Sequence, residues 1–97
     1  MLVGKFFRNI NQKNKNHFFS GLSFNSLTLK KKNIFFAIRG TDINGNRYIQ
    51  DAIKKGASTI VSNLNFEGKK NNILYIKTKD SRKLLSEVSS KYYKKKT

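Results

Sequence analysis

The residues of this chain that could bind a ligand are concentrated between positions 21 and 57. Ser26 follows an apolar stretch, a Gly-Thr-Asp loop begins at Gly40, and Asn46 stands where a helix is predicted to begin. A serine hydroxyl, loop amides and a helix N-terminus all donate hydrogen bonds, and the helix end also carries partial positive charge. The segment therefore predicts a site at which one small anionic ligand meets all three groups.

The chain has few groups that could catalyse a reaction. His17 is the one histidine in 97 residues, and its polar surroundings predict a bystander rather than a base. The five acidic residues are scattered, with no close pair for acid–base catalysis and no cluster for a metal ion. Ser20, Ser23 and Ser26 precede no histidine-bearing motif, and no Gly-x-x-x-x-Gly-Lys-Ser/Thr loop for ATP phosphates occurs. The sequence predicts neither catalytic residues nor metal ligands.

The elements that must position these groups follow from hydrophobic periodicity. Residues 17–26 predict a strand with Leu22 and Phe24 on one face, opposite Ser23 and Asn25. The run Ile-Phe-Phe-Ala-Ile within residues 33–39 predicts a strand covered on both faces. Two further strands are predicted at 59–62 and 73–77, with a loop at 63–72 between them. Three helices are also predicted: an amphipathic helix at 2–10, and a helix of about ten residues that Asn46 caps and Gly56 ends. The third is capped by Asp80, and its inward face consists of Leu84, Leu85, Val88 and Tyr92.

Strands that alternate with helices predict a small three-layer α/β/α domain with a mainly parallel or mixed sheet. The length predicts one domain over residues 1–97. The absence of cysteine excludes disulfides and thiolate metal sites. No apolar stretch approaches the roughly 20 residues that span a bilayer, and the start has no signal-peptide pattern. We expect a cytoplasmic monomer that does not insert into membranes.

The net charge of +16 has two interpretations. Lys and Arg total 21 against five acidic residues, a balance typical of proteins that bind polyanions. However, 17 of the 21 are Lys, and Lys, Asn, Ile, Phe and Tyr share AT-rich codons, so mutational bias also explains the composition. Four arginines are few for a protein that reads phosphates bidentately. A selected binding surface and a solvated lysine surface both remain open, and we expect nucleic acid to bind only non-specifically.

Several short motifs within residues 21–57 resemble those of one known family, the Mur ligases that extend the peptide of the bacterial cell-wall precursor. The order and spacing of the motifs carry the resemblance, which covers roughly residues 2–94. It is strongest to the N-terminal domain of members that add the third amino acid, and members that add the terminal dipeptide are the alternative. The matching motifs are Ile34-Phe35-Phe36-Ala37, Asn44-Gly45 followed by Tyr48-Ile49, and Ala52 with Gly56-Ala57.

The resemblance implies a binding role for this chain within an ATP-dependent amide ligase of peptidoglycan synthesis. In the family, the N-terminal domain holds the uridine diphosphate end of a UDP-N-acetylmuramoyl peptide. A central domain binds ATP and Mg²⁺, and a C-terminal domain completes the enzyme. Neither of these two domains matches any part of residues 1–97, so the resemblance implies no cofactor in this chain and no activity of the chain alone.

The resemblance also implies which residues contact the nucleotide. Ser26 matches the serine of the family's Asp-Ser-Arg and would contact the uridine, and Phe24 matches a hydrophobic position beside the uracil. Thr41, Asp42 and Ile43 match a short loop that closes over the nucleotide. Uracil offers two carbonyls and one N–H, which loop backbone can match, while an aromatic ring stacks on its face.

Candidates for diphosphate contacts come from the charges around the predicted helix start. Arg39, Asn46 and Arg47 could supply donors and positive potential there. The chain departs from the family pattern at this site, because the Asp and Arg that flank the serine are Asn25 and Leu27. Two other classes stay open at this stage, namely a small basic nucleic-acid-binding protein and a protein-interaction module without a ligand.

Overall fold

A five-stranded sheet organises the part of the chain that the structure, a computed structural model, describes: residues 1–7, 10–38 and 48–96. The strand order is β1-β2-β3-β5-β4. Neighbouring strands among β1, β2, β3 and β5 are parallel, and β4 pairs antiparallel with β5 at one edge. The elements are β1 (Gly21–Ser23), β2 (Asn33–Phe36), α1 (Ile49–Lys54), β3 (Thr59–Ser62), β4 (Gly68–Lys70), β5 (Ile73–Lys77) and α2 (Ser81–Lys96).

The two central strands are buried on both faces, as the continuous apolar run predicts. Every residue of β2 and β3 is buried. Side chains alternate across the sheet, so Ile34 and Phe36 join one core cluster while Phe35 joins the other. Parallel strands read as continuous apolar runs because helices cover both faces.

One face of the sheet packs against α2 and the N-terminal residues. Val88 and Tyr92 of α2 are buried there, which confirms the predicted inward face of this helix. Tyr92 lies 6.0 Å from Phe19 between ring centroids, and Phe6 meets Phe19 edge-on at 5.5 Å. Asp80 caps α2 as predicted, because its Oδ1 accepts the Lys83 N–H at 3.0 Å.

The other face packs against α1, where Ile49 and Ala52 meet Phe35 and Ile60. Leu29, from the connection between β1 and β2, completes this second cluster. The sheet therefore lies between two layers, and the predicted three-layer α/β/α class with a mainly parallel sheet is confirmed.

Helix α1 ends at Lys54, and Gly56 terminates it as the sequence predicts. This glycine has φ +96°, a left-handed conformation that disfavours side chains with a Cβ. Its N–H bonds to the Ile53 carbonyl, and the Ala57 N–H bonds to the Ala52 carbonyl, both at 3.0–3.1 Å. This pair of bonds is the Schellman motif, which satisfies carbonyls at the end of the helix. The predicted cap, Asn46, lies outside the described residues, and Ile49 is the first helical residue.

The predicted loop at 63–72 is wrong in part, because it contains β4. Asn71 and Asn72 join β4 to β5 with φ angles of 52° and 66°. Two central residues at positive φ form a type I′ turn, whose twist suits a tight hairpin. The sequence hides this strand because Gly68, Lys69 and Lys70 are partly or fully exposed and show no apolar alternation.

Two further predictions are corrected. Of the amphipathic helix predicted at 2–10, the described residues form only a short 3-10 helix, Val3–Lys5. The Val3 and Gly4 N–H groups bond to the carbonyls of His17 and Lys15, which ties this segment to the chain that precedes β1. The predicted strand at 17–26 is regular only over Gly21–Ser23. None of the helices in the described residues is long and apolar enough to cross a membrane.

Candidate functional site

The chain turns sharply directly after β1, within residues 24–28, named here the 24–28 turn. Asn25 organises it: its Oδ1 accepts the Leu27 N–H at 2.9 Å, and its carbonyl accepts the Thr28 N–H at 3.2 Å. Ser23 donates its hydroxyl to the Asn25 carbonyl at 2.9 Å. Short polar side chains that bond to nearby backbone compete with strand pairing, which explains why β1 ends at Ser23. The predicted strand at 17–26 would place Phe24 and Ser26 on one face, and this part of the prediction is therefore wrong.

The turn presents its side chains very differently to solvent. Phe24 is 65% exposed and Leu27 is 80% exposed, whereas Ser26 is only 4% exposed. An aromatic ring exposed to this extent is available for stacking on a flat ligand. Ser26 faces inward, so the structure brings the two predicted residues onto one turn but gives only Phe24 open access.

The turn also contacts the end of α1, a contact that the sequence does not predict. The Lys55 ammonium donates to the Ser26 carbonyl with an Nζ–O distance of 2.6 Å. Lys55 is the residue that follows the last residue of α1. The two residues are 29 positions apart, and neither apolar periodicity nor a short motif signals their contact.

The remaining predicted site residues lie outside the described residues. They are the nucleotide loop Thr41, Asp42 and Ile43, and the diphosphate candidates Arg39, Asn46 and Arg47. Tyr48, the first described residue after them, leads directly into α1. The chain therefore leaves the described region at the carboxyl end of β2 and returns at the start of α1. The carboxyl ends of parallel strands are where open α/β sheets bind ligands.

A cavity of about 860 Å³ lies elsewhere, between the N-terminal residues, β5 and α2. Its walls include Phe7, Ile10, Leu84 and Glu87. Phe24 and Ser26 are not among the residues that line it, so this cavity and the predicted site are separate places. The 24–28 turn is the candidate site because Phe24 and Ser26, which the family resemblance indicates, directly follow the carboxyl end of β1.

His17 bonds to backbone rather than to a catalytic partner. Its Nε2 lies 2.7 Å from the Ser58 carbonyl, so the neutral ring donates through this nitrogen. Burial lowers the pKa of His17 below its ordinary 6.5, and the charges of Lys69 and Lys32 act in the same direction. Among the described residues no group of three or more His, Cys, Asp and Glu side chains could hold a metal ion.

Comparison with known proteins identifies the family. Residues 19–93 match the profile described as Mur ligase family, catalytic domain. The UDP-N-acetylmuramoyl-L-alanyl-D-glutamate--2,6-diaminopimelate ligase of Clostridium tetani is 42% identical over 74 residues, which cover 74% of this chain and 15% of that protein. The ligases of the same name from Rickettsia prowazekii and Rickettsia conorii are 38% and 40% identical over 88 and 90 residues, 91% of this chain and 18% of each relative.

A solved structure shares the fold. It is crystal structure II of MurF from Acinetobacter baumannii, with a TM-score of 0.64 and 12% identity, and the match covers 79% of this chain and 16% of that one. At such identity the likeness shows the fold alone. The chain spans less than a fifth of the length of the curated relatives above. Because the family profile matches most of its residues, the chain belongs to the Mur ligase family.

Proposed function

We propose that this chain binds the uridine diphosphate end of a UDP-N-acetylmuramoyl peptide, as the N-terminal domain of an ATP-dependent amide ligase in peptidoglycan synthesis. The observation that supports this most is the exposed Phe24 ring, directly after the carboxyl end of β1, in a chain that belongs to the Mur ligase family. The proposed compartment is the cytoplasm, and the proposed state is a monomer.

The chemistry of the turn suits a uridine. Phe24 offers an apolar face that can stack on the uracil ring, a contact worth about 1–3 kcal/mol for a base on an aromatic side chain. Leu27, on the same turn, is a second exposed apolar side chain. Stacking alone does not select a base, so we assign selectivity to backbone hydrogen bonds from the loop that contains Thr41, Asp42 and Ile43.

The diphosphate needs positive charge and donors. We propose that Arg39, Asn46 and Arg47 supply them, on the basis of their positions in the sequence between β2 and α1. Ser26, buried in the turn, would act on the uridine through the shape of the turn or through its hydroxyl when the ligand is bound.

Amide bond formation is proposed for the ligase as a whole, and ATP and Mg²⁺ are assigned to its central domain. Phosphoryl transfer depends on a phosphate-binding loop and Mg²⁺, and residues 1–97 contain no such loop motif. We therefore expect the chain alone to leave ATP and candidate amino acids unreacted.

The step that this ligase performs is proposed from its relatives. Several ligases whose names specify 2,6-diaminopimelate are 38–42% identical to the chain. The dipeptide-adding step is the alternative that the family resemblance leaves open, and the names of these relatives favour the diaminopimelate-adding step.

A pair of phenylalanine substitutions tests the binding site. Phe24→Ala should weaken UDP binding by about 1–3 kcal/mol, because stacking is lost. Phe18→Ala is the matched control, since Phe18 is 52% exposed and precedes β1, whereas Phe24 follows it. Binding is measured by NMR titration, and the wild-type Kd should lie on the order of 0.1–1 mM for such a one-sided pocket. Equal losses in both variants, or no wild-type binding at these concentrations, would count against the proposal.

A further inference from the structure

Backbone hydrogen bonds hold the end of α1 in place, and with it the Lys55 backbone. The Lys55 N–H bonds to the Asp51 carbonyl at 3.1 Å, and the Schellman motif formed by Gly56 and Ala57 follows immediately. Ala52, one turn earlier, is fully buried in the second core cluster. The Lys55 ammonium is therefore held by a helix that itself packs on the sheet.

The 24–28 turn needs such an anchor more than the strands do. The hydrogen bonds within the turn all involve Asn25, and each of them links residues at most three positions apart. Local bonds define the shape of the turn but not its placement against the sheet. The Lys55–Ser26 bond joins it to α1 across 29 residues, and hydrogen bonds from charged donors are the stronger ones.

We infer that Lys55 is a positioning residue for the nucleotide site. By holding the Ser26 carbonyl, its ammonium fixes the 24–28 turn and so places the Phe24 ring for stacking. The predicted effect of Lys55 on nucleotide binding rests on the proposed function, whereas its predicted effect on the order of the turn does not. Lys55 also brings a positive charge to the site, and a direct contact with the diphosphate is the competing role that an experiment must separate.

Two nucleotide ligands separate these roles. If Lys55 positions Phe24, its loss weakens uridine and UDP by similar factors, because both contain the uracil that stacks. If Lys55 touches the diphosphate, its loss weakens UDP and leaves uridine unchanged. Lys55→Met removes the ammonium and keeps an unbranched apolar chain. Lys54→Met is the matched control, because it makes the same charge change one residue earlier, in the last turn of α1.

The expected result is a roughly tenfold loss of affinity for both uridine and UDP in Lys55→Met, little change in Lys54→Met, and substantial recovery in Lys55→Arg, which still donates. Without nucleotide, the Leu27 and Thr28 amides of Lys55→Met should exchange with solvent faster than in the wild type. Both readouts come from NMR, and a thermal melt of each variant establishes that the fold is kept.

Three outcomes overturn the inference. Unchanged exchange at Leu27 and Thr28 would show that Lys55 does not hold the turn. Unchanged nucleotide affinity, or a loss confined to UDP, would show that it does not position the ring. A wild-type chain that binds no UDP would remove the proposed function, and the amide exchange would then still report separately whether Lys55 holds the turn.

Discussion

Phe24 and Ser26, two positions apart on one turn, illustrate how little side-chain spacing says once a strand ends. On a strand they would share a face, but the Asn25 side chain bonds to the Leu27 N–H and closes a turn between them. The ring is then 65% exposed and the serine 4%. The serine thus has the lesser access, although the family resemblance gives it the uridine contact.

His17 gives the clearest pH dependence at the residue scale. Burial lowers its pKa in the folded chain below 6.5, and Lys69 and Lys32 add to the shift, so the unfolded chain binds a proton more readily. The contribution of neutral His17 to stability is complete above pH 6.5 and is lost as the pH falls from 6.5 through the lowered pKa of the folded state.

A substitution isolates that contribution. The free energy of unfolding of the wild type should fall between about pH 8 and about pH 5, and His17→Gln should lose less over the same range. The glutamine amide can still donate to the Ser58 carbonyl but does not titrate. Denaturant unfolding at both pH values measures the difference, and parallel pH profiles for the two proteins would refute this role of His17.

The end of α1 carries the sharpest prediction at the element scale. Gly56 has φ +96°, so Gly56→Ala should destabilise the fold by about 1–2 kcal/mol through backbone strain. A Cβ at this position would also lie 3.2 Å from Lys31 Cγ, a flexible atom that can move. Thermal or denaturant unfolding checks the loss of stability.

The double variant Gly56→Ala with Lys31→Ala distinguishes the two causes. If strain dominates, removing the Lys31 side chain recovers little of the lost stability. If crowding dominates, it recovers most of it. Gly56→Asn should lose less than Gly56→Ala, because asparagine adopts left-handed conformations more readily.

The elements with strong apolar patterns were predictable from the sequence, whereas β4 and the extent of β1 were not. Strands β2, β3 and β5 and helix α2 have apolar runs or stripes long enough to identify them. Strand β4 is three residues of glycine and lysine, whose pairing depends on the type I′ turn that follows. The extent of β1 depends on side-chain hydrogen bonds of Ser23 and Asn25, and the alternation of apolar and polar residues along a strand does not predict such bonds.

The candidate site was predictable to the same degree. The family resemblance indicates Phe24 and Ser26, but their position on a turn after β1 was not predicted, because the sequence pattern places both within a strand at 17–26. The Lys55 contact was not predictable, because it joins residues 29 apart through one long side chain. Lysine at a helix end is favoured anyway by the helix dipole, so its type alone carries no signal of a second role.

At the scale of the whole molecule, the charge of +16 must be reconciled with a site for one nucleotide. Lysines 30–32, 54, 55, 69 and 70 are all exposed, and they belong to the connection between β1 and β2, the end of α1, and β4. Lysine charge attracts polyanions generally, and contacts to phosphates carry no sequence information. The arrangement favours non-specific binding over a nucleic-acid function.

Binding to labelled oligonucleotides tests this interpretation. We expect a Kd in the range of about 10⁻⁴ to 10⁻⁶ M at physiological salt, with a steep loss of affinity as salt rises. Two single strands of unrelated sequence should bind equally in fluorescence anisotropy. A nanomolar complex with one of them would instead support a nucleic-acid-binding protein.

The most direct test of the central claim is an NMR titration of the chain with UDP and, separately, with CDP. Cytosine replaces a carbonyl and an N–H of uracil with an amine and an acceptor, so a site built for uracil should bind CDP more weakly. The account predicts that UDP shifts the amides of residues 24–28 first and that CDP shifts them at higher concentration. Shifts spread over the lysine-rich end of α2, with UDP and CDP behaving alike, would show that the attraction is only electrostatic and would contradict the proposed uridine site.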